Sequence, residues 1–239
     1  MNPYYPVMVD LRGRRCLVIG GGEVAEEKVE GLLASGALVR LITSQPGAPL
    51  RARIGRGEIE HLDREVRPGD LEGAFLVFSE RLGEEVHGML RDEAERRQVF
   101  LNVQDETPYC SFIAPSVVRK GDLVVALSTG GRAPVLAVRL RQWLESELGE
   151  HHARFLEVAG HVREPLLRRH PDFRVRRMRW YRLIDSEVFD LLRDGRDREA
   201  LDLFVRYLGL RPEDLVDLPP WRDVPIERYR LPELTEVAS

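Results

Sequence analysis

The sequence is poor in lysine and cysteine, and both shortages narrow the choice of function. Lys28 and Lys120 are the only lysines, so nearly all of the positive charge is arginine, which suits bidentate carboxylate binding. The two cysteines, Cys16 and Cys110, lie far apart and do not indicate a disulfide framework. The formal net charge of −4 gives no general attraction to nucleic acid, so we predict no nucleic-acid partner.

Long hydrophobic runs are also absent from the sequence. No stretch approaches the roughly 18 apolar residues that a membrane span requires. The amino terminus lacks a basic region followed by an apolar one, so a secretory signal peptide is not predicted. The histidines are scattered without the spacing of a ligand set, so we predict no metal site. We therefore expect a cytoplasmic protein without a membrane partner.

The most informative motif joins a predicted strand to a predicted helix. The apolar run 17–19 stops at three glycines, and Gly20, Gly22 and Ala25 fit the pattern G-x-G-x-x-A. In such a motif the first glycine makes a tight turn, the second lets the backbone approach a pyrophosphate, and the alanine lets the helix pack on the strand. The amide groups at the helix start then face the phosphates. The motif predicts a dinucleotide site, although glycine-rich turns also serve only to join a strand to a helix.

Strands and helices alternate over the first half of the chain. We predict a first strand that contains Cys16 and the apolar run 17–19, then strands at 38–42, 59–62, 74–78 and 99–103. Helices are predicted after the glycines, within 46–57 and at 83–97. This alternation predicts an α/β fold with a Rossmann-like, doubly wound parallel sheet. The ligand of such a sheet lies beyond the carboxyl ends of its strands.

One feature of an ordinary NAD enzyme is missing from that edge. The end of the second predicted strand carries Thr43 and Ser44 where many NAD enzymes have an acid for the ribose hydroxyls, which leaves NAD versus NADP open. Glu80, after the fourth predicted strand, is our candidate for accepting those hydroxyls instead. The candidate cofactor-binding residues are Gly20, Gly21, Gly22, Glu23, Val24, Ala25, Thr43, Ser44, Ser79, Glu80 and Val103.

After residue 110 the pattern changes to a β-hairpin followed by helices. The runs 112–118 and 123–127, with a turn at 119–122, predict an antiparallel pair. The segment 128–134 then leads into a predicted helix at 135–148, with hydroxyls upstream as caps and Pro134 in its first turn. Residues 150–209 are predicted to be helical and arginine-rich, and 211–239 an extended tail.

Three separated pieces of the sequence together resemble one known family. They are Tyr5-Pro6-Val7 with V-I-G-G-G-E-V-A-x-x-K, then Asn102-Val103-Gln104-Asp105, then the block from Ser111-Phe112-Ile113-Ala114-Pro115 to Ser128-Thr129-Gly130-Gly131-Arg132-Ala133-Pro134. In order and spacing the chain resembles the precorrin-2 dehydrogenases and sirohydrochlorin ferrochelatases of sirohaem synthesis. It looks like their free-standing form, without a fused methyltransferase domain.

The resemblance implies an architecture and a reaction. It implies an NAD-binding domain at 1–112, a dimerisation region at 113–149 and a small helical domain with its tail at 150–239, assembled as a homodimer. The implied oxidoreductase reaction passes a hydride from precorrin-2 to NAD⁺ and a proton to a base, which gives sirohydrochlorin. Many members also act as a lyase that inserts Fe²⁺ into this tetrapyrrole, and others only dehydrogenate. The sequence leaves these two alternatives open.

The resemblance also assigns roles to individual residues. The acidic catalytic residue of the family falls on Asp105, which could instead only start a turn before Pro108. The implied contacts to the acetate and propionate groups of the substrate are Ser128, Thr129, Gly130, Gly131 and Arg132. That segment could instead be only a strand-to-helix turn with a cap.

Two further alternatives remain open from the sequence. The arginines between 168 and 182 could attract a polycarboxylate tetrapyrrole or simply form a solvated helix face. An NAD-sensing regulatory module could use the same glycine-rich motif without chemistry, because a fold does not imply a function.

Overall fold

The computed structural model of the protein describes residues 4–215. The chain forms two compact units, Met1–Ala114 and Pro115–Ser239. Most of the predicted tail, from residue 216 onward, lies outside the described residues. The predicted division into three domains stays a prediction.

The first unit contains a parallel sheet of five strands in the order β3-β2-β1-β4-β5, which confirms the predicted Rossmann-like fold. The strands are β1 (Arg15–Ile19), β2 (Leu38–Ile42), β3 (Glu60–Leu62), β4 (Leu76–Ser79) and β5 (Phe100–Val103). The helices of this unit are α1 (Glu23–Ala34), α2 (Ala48–Gly55) and α3 (Glu84–Arg97). The central strand β1 lies between β2 and β4, so the glycines that follow it emerge in the middle of the carboxyl edge.

Both faces of the sheet are buried, as expected of a parallel sheet covered by helices. Successive side chains of a strand point to opposite faces. Cys16 and Val18 therefore pack on one side with Ala25 and other α1 residues. Leu17 and Ile19 pack on the other side, with a cluster that contains Leu90 and Ala94 of α3. This two-sided burial fixes the sheet and leaves its carboxyl edge to the loops.

One predicted strand of this unit was misplaced. β4 begins at Leu76 and not at residue 74, because the Ala74 amide donates to the Leu71 carbonyl in a turn, with an N···O distance of 3.1 Å. It continues to Ser79, which pairs with Val103 of β5. The shift moves Ser79 from the loop to the end of the strand.

The second unit begins with an antiparallel hairpin of β6 (Ser116–Lys120) and β7 (Leu123–Leu127). The first strand of the hairpin begins at Ser116 and not at residue 112, because Ser111 is held on the first unit by a 2.8 Å bond from its amide to the Leu101 carbonyl. Pairing continues to Lys120 and Leu123, so the turn is only Gly121-Asp122 and shorter than predicted. A two-residue loop is the typical connection of such strands.

Helices make up the rest of the described second unit. They are α4 (Pro134–Glu147), α5 (Glu150–Arg169), α6 (Phe173–Ile184), α7 (Val188–Arg193) and α8 (Asp197–Leu208). Their core is built around Phe155 and Phe204, whose ring centroids are 5.1 Å apart. Within residues 4–215, no helix has the length and apolar character needed to cross a bilayer.

Candidate functional site

The glycine-rich turn after β1 is shaped by close approaches of the backbone. Gly20 has φ +132°, a backbone conformation that residues other than glycine rarely adopt. A methyl group on Gly21 would lie 2.2 Å from the Gln45 carbonyl oxygen, and the Gly21 carbonyl accepts a bond from Gly47 N at 2.9 Å. Ala25 is buried against the sheet. The turn therefore has the geometry that the G-x-G-x-x-A motif predicts.

The amide groups of this turn converge on one anion, the carboxylate of Glu80. Gly22 N donates to Glu80 Oε1 at 2.9 Å and Ala25 N donates to the same oxygen at 3.2 Å. Gly21 N donates to Glu80 Oε2, also at 3.2 Å. A carboxylate and a phosphate are both anions that accept such bonds. The residues present therefore fit the pyrophosphate of a dinucleotide at the start of α1.

The hydroxyl groups at the end of β2 are already engaged. Thr43 is nearly buried, and its Oγ1 accepts a bond from Gln45 N at 3.1 Å. Ser44 Oγ donates to Glu65 Oε1 at 2.6 Å. Glu65 thus places a carboxylate beside the position where many NAD enzymes have an acid, a residue that the sequence analysis missed. The position of Glu65 in the sequence could have indicated this, because it comes three residues after the short edge strand β3, which pairs with β2.

Ser79 and Val103 lie at the ends of β4 and β5 and are buried. Ser79 Oγ donates to the carbonyl of Glu80 at 2.9 Å, and Gln104 N donates to the Ser79 carbonyl, also at 2.9 Å. The backbone of Glu80 is held as well, since its amide donates to the Ile19 carbonyl at 2.8 Å. These bonds bring together the loops after β1, β4 and β5, where the sequence analysis placed the cofactor.

Asp105 follows β5 and is exposed. It has φ +58°, one of the two positive φ values among the described non-glycine residues. Its carboxylate makes no hydrogen bond or ion pair with another residue of the described range 4–215. The neighbouring Glu106 differs, because its carboxylate pairs with Arg81 at 2.8 Å. Of the two adjacent carboxylates, only that of Asp105 has no partner among the described residues.

Cys110 holds the loop that carries Asp105 and was missed in the sequence analysis. Its Sγ lies 3.2 Å from Val103 N and 3.3 Å from the Val103 carbonyl oxygen, so it bridges both ends of the loop. Burial raises the pKa of the Cys110 thiol above its ordinary value. A thiol that stays protonated can donate to that carbonyl. The spacing of Cys110 from Asn102-Val103-Gln104-Asp105 was visible in the sequence, but its role depended on the fold of the loop.

The predicted substrate-binding segment lies in the second unit, between β7 and α4. Ser128 Oγ accepts a bond from Gly130 N at 3.1 Å, and Thr129 Oγ1 accepts one from Ala133 N at 3.2 Å. Gly130 and Gly131 have φ of +62° and +77°. Arg132 is exposed, and its guanidinium has no hydrogen-bond or ion-pair partner in the described part of the chain. The two hydroxyls therefore stabilise the turn, and the arginine is available to bind an anion.

Several arginines of the 168–182 cluster have structural partners. Arg169 pairs with Asp214 at 2.6 Å, and Arg176 donates to the carbonyl of His170 at 2.7 Å. Arg179 donates to the Tyr207 carbonyl at 3.0 Å. These contacts hold segments of the second unit together, so this cluster as a whole is not a free cationic surface. Across the described range, no group of three His, Cys, Asp or Glu side chains could hold a metal ion.

Comparison with known families gives two matches that together cover most of the described chain. Residues 7–116 match a family described as putative NAD(P)-binding. Residues 151–208 match a family described as the sirohaem synthase dimerisation region. The second match begins beyond 113–149, the segment to which the sequence analysis gave the dimerisation role.

Curated relatives match along much of the chain. A siroheme synthase of Photobacterium profundum is 36% identical over 197 residues, which are 82% of this chain and 42% of that protein. Siroheme synthase 1 of Pectobacterium atrosepticum is 38% identical over 197 residues, with 82% of this chain and 41% of that protein covered. The chain thus spans less than half the length of these relatives.

A solved structure described as "SirC, precorrin-2 dehydrogenase" has the same fold. It superposes with a TM-score of 0.63 at 23% identity, and the match covers 85% of this chain and 100% of that one.

Proposed function

Because this chain belongs to the family of siroheme synthase amino-terminal regions, we propose that it oxidises precorrin-2 to sirohydrochlorin with NAD⁺. NAD is the cofactor that the match of residues 7–116 supports. When bound, NAD⁺ supplies a hydride acceptor. The amides of Gly21, Gly22 and Ala25 would hold its pyrophosphate, since they already bind a carboxylate.

The exposed carboxylate of Asp105 is the observation that carries this proposal. Oxidation of precorrin-2 removes two hydrogens, one as a hydride and one as a proton. The proton needs a base at the carboxyl edge of the sheet, where the cofactor of a doubly wound fold binds. Asp105 lies at that edge, and its carboxylate is free of the structural bonds that occupy Glu106. We assign the proton acceptor to Asp105.

The substrate carries acetate and propionate carboxylates, which need hydrogen-bond donors and positive charge. The exposed guanidinium of Arg132 supplies both, on a turn that Ser128 and Thr129 stabilise. We assign tetrapyrrole binding to the turn that contains Ser128, Thr129, Gly130, Gly131 and Arg132, with Arg132 as the direct contact to the carboxylates and the two hydroxyls holding the turn. The match of 151–208 to a dimerisation region supports a homodimer. Fe²⁺ insertion stays an open second activity in which the metal is a substrate, and a cytoplasmic location stays a prediction.

The proposal is tested with Asp105→Asn in an anaerobic assay that contains precorrin-2 and NAD⁺. Asparagine tolerates the positive φ of Asp105, so this change removes the charge without straining the turn. We expect kcat for sirohydrochlorin formation to fall by about 10²-fold or more, the usual contribution of a general base. The affinity for NAD⁺ should not change.

Glu106→Gln is the matched control, because it removes the adjacent carboxylate and its pair with Arg81. We expect it to keep most of the activity. Equal losses in both variants, or wild-type kcat in Asp105→Asn, would contradict the assignment of the base. If the folded wild type binds NAD⁺ but oxidises nothing, the dehydrogenase proposal fails and the sensor remains. Adding Fe²⁺ to the product, beside a metal-only blank, decides whether the chain also chelates iron.

A further inference from the structure

The carboxylate of Glu80 occupies the amide groups that bind the phosphates in a dinucleotide fold. It accepts bonds from Gly21 N, Gly22 N and Ala25 N, and the residue lies 59 positions from Gly21 in sequence. We propose that Glu80 is an internal competitor of the cofactor, whose side chain must leave these amides before the pyrophosphate binds. The inference rests on the assignment of NAD to this unit but not on the tetrapyrrole chemistry.

The Glu80 carboxylate and a pyrophosphate cannot both accept hydrogen bonds from the same three amides. Each of the three amides has one N–H group, and each already donates it to a Glu80 oxygen at 2.9 to 3.2 Å. A phosphate oxygen that takes these donors must displace the carboxylate. A phosphate placed beside the carboxylate would be repelled, because both carry negative charge.

The space around the glycines also shows that the Glu80 carboxylate and a pyrophosphate cannot be bound at the same time. A methyl group built on Gly20 would lie 2.4 Å from Glu80 Cδ, and one on Gly22 would lie 3.0 Å from Glu80 Oε1. The carboxylate thus fills the volume that the glycines keep free. In a dinucleotide fold this volume admits the pyrophosphate.

Displacement of Glu80 requires only a side-chain rotation. Its backbone is fixed by the bond from its amide to the Ile19 carbonyl and by the Ser79 hydroxyl on its own carbonyl. A glutamate side chain can rotate about its single bonds, and beyond the three amides the Glu80 carboxylate has no other partner among the residues the structure describes. Binding of NAD⁺ therefore selects the fraction of molecules in which Glu80 has turned away, and the apparent Kd rises in proportion.

The test is calorimetric titration of the full chain with NAD⁺, with no tetrapyrrole present. Glu80→Ala should lower the Kd by on the order of tenfold, since it removes charge-assisted bonds that compete with the ligand. Glu80→Gln, which keeps an acceptor but loses the charge, should give a smaller decrease. Glu84→Ala is the matched control, because Glu84 is an exposed acid in the first turn of α3. Its Kd should stay at the wild-type value.

An unchanged or higher Kd in Glu80→Ala overturns the inference, and a higher Kd indicates that Glu80 holds the ribose instead. A second measurement does not need nucleotide. The amide NMR signals of Gly21, Gly22 and Ala25 should shift in Glu80→Gln, and unshifted signals also overturn the inference. If neither the wild type nor Glu80→Ala binds NAD⁺, both the inference and the assignment of NAD as the cofactor are wrong. If Glu80→Ala binds NAD⁺ more tightly but the wild type does not oxidise precorrin-2, the inference holds and only the proposed reaction is wrong.

Discussion

Two junctions in this protein share a sequence signature but differ in how their amides are used. Each leads from a strand through two or more glycines into a helix, one at β1–α1 and one at β7–α4. In the first, the amides of the turn bond a carboxylate from a distant part of the chain, Glu80. In the second, amides of the turn donate to the hydroxyls of Ser128 and Thr129 in the same turn. The first junction can exchange its anion for a ligand, and the second stabilises itself and leaves Arg132 to bind.

The glycines also serve different purposes in the two junctions. Gly21 is needed for space, because the Gln45 carbonyl oxygen lies where its side chain would be. Gly131 has nothing within 4 Å of a built methyl group, but its φ is +77°. A side chain at position 21 is therefore excluded by a neighbouring atom, whereas a side chain at position 131 is disfavoured by the backbone conformation of that residue.

The largest expected effect is that of Gly21→Ala. The new methyl would meet a backbone oxygen at 2.2 Å, so the loop must shift and break the bond from Gly47 N to the Gly21 carbonyl. We expect the free energy of unfolding of the first unit to fall by about 1–3 kcal/mol, as in overpacked sites. NAD⁺ binding should be lost. Urea denaturation followed by circular dichroism measures the first effect.

Gly31→Ala is the control for that experiment. Gly31 is an exposed residue within α1, and a methyl there meets nothing within 4 Å. Alanine should raise the stability by about 0.5–1 kcal/mol, because glycine is unfavourable inside a helix. Wild-type stability and NAD⁺ binding in Gly21→Ala would show that space is not what requires glycine at this position.

A smaller effect is expected for Gly131→Ala. Its positive φ should cost about 1 kcal/mol. Asparagine tolerates this conformation, so Gly131→Asn should recover most of the loss. Gly21→Asn should recover nothing, because its conflict is with a neighbouring atom. Trp143 and Trp180 lie in the second unit, so tryptophan fluorescence in urea reports this change. Equal stability of Gly131→Ala and Gly131→Asn would contradict the conformational explanation.

The smallest effect concerns the Thr129 hydroxyl of the second junction, which bonds the Ala133 amide in the turn and does not cap α4 as the sequence predicted. Thr129→Val keeps the shape of the side chain but removes the acceptor of the 3.2 Å bond from Ala133 N. We expect a loss of about 0.5–1 kcal/mol, the usual net value of one hydrogen bond. Thr129→Ser keeps the hydroxyl and should be close to the wild type. If the valine and serine variants have the same stability by this fluorescence measurement, the bond from Ala133 N to Thr129 does not contribute.

The sequence predicted those parts of the fold that depend on local patterns. The five strands, the glycine-rich turn and the hairpin follow from apolar runs and turn residues that lie close together in the chain. The boundaries of β4 and β6 were misplaced because they depend on backbone bonds, such as that from Ser111 N to the Leu101 carbonyl. Such bonds have no signature within the strand itself.

The site could be predicted only as a set of positions along one edge of the sheet. The sequence indicated that Glu80 lies near the cofactor, but not that its carboxylate bonds amides 55 to 59 positions away. The partners of Asp105 and Glu106 could not be distinguished either, because the pair of Glu106 with Arg81 forms only when the loops after β4 and β5 meet. Interactions between distant loops are tertiary, and the sequence pattern does not specify them.

A crystal structure of the full chain with NAD⁺ tests most directly whether the two junctions differ in this way. We predict pyrophosphate oxygens within hydrogen-bond distance of Gly21 N, Gly22 N and Ala25 N, with the Glu80 carboxylate turned away. We also predict that the bonds of Ser128 and Thr129 at the second junction are unchanged. A dinucleotide bound elsewhere, with Glu80 still bonded to the three amides, would show that the first junction does not exchange its anion for the cofactor.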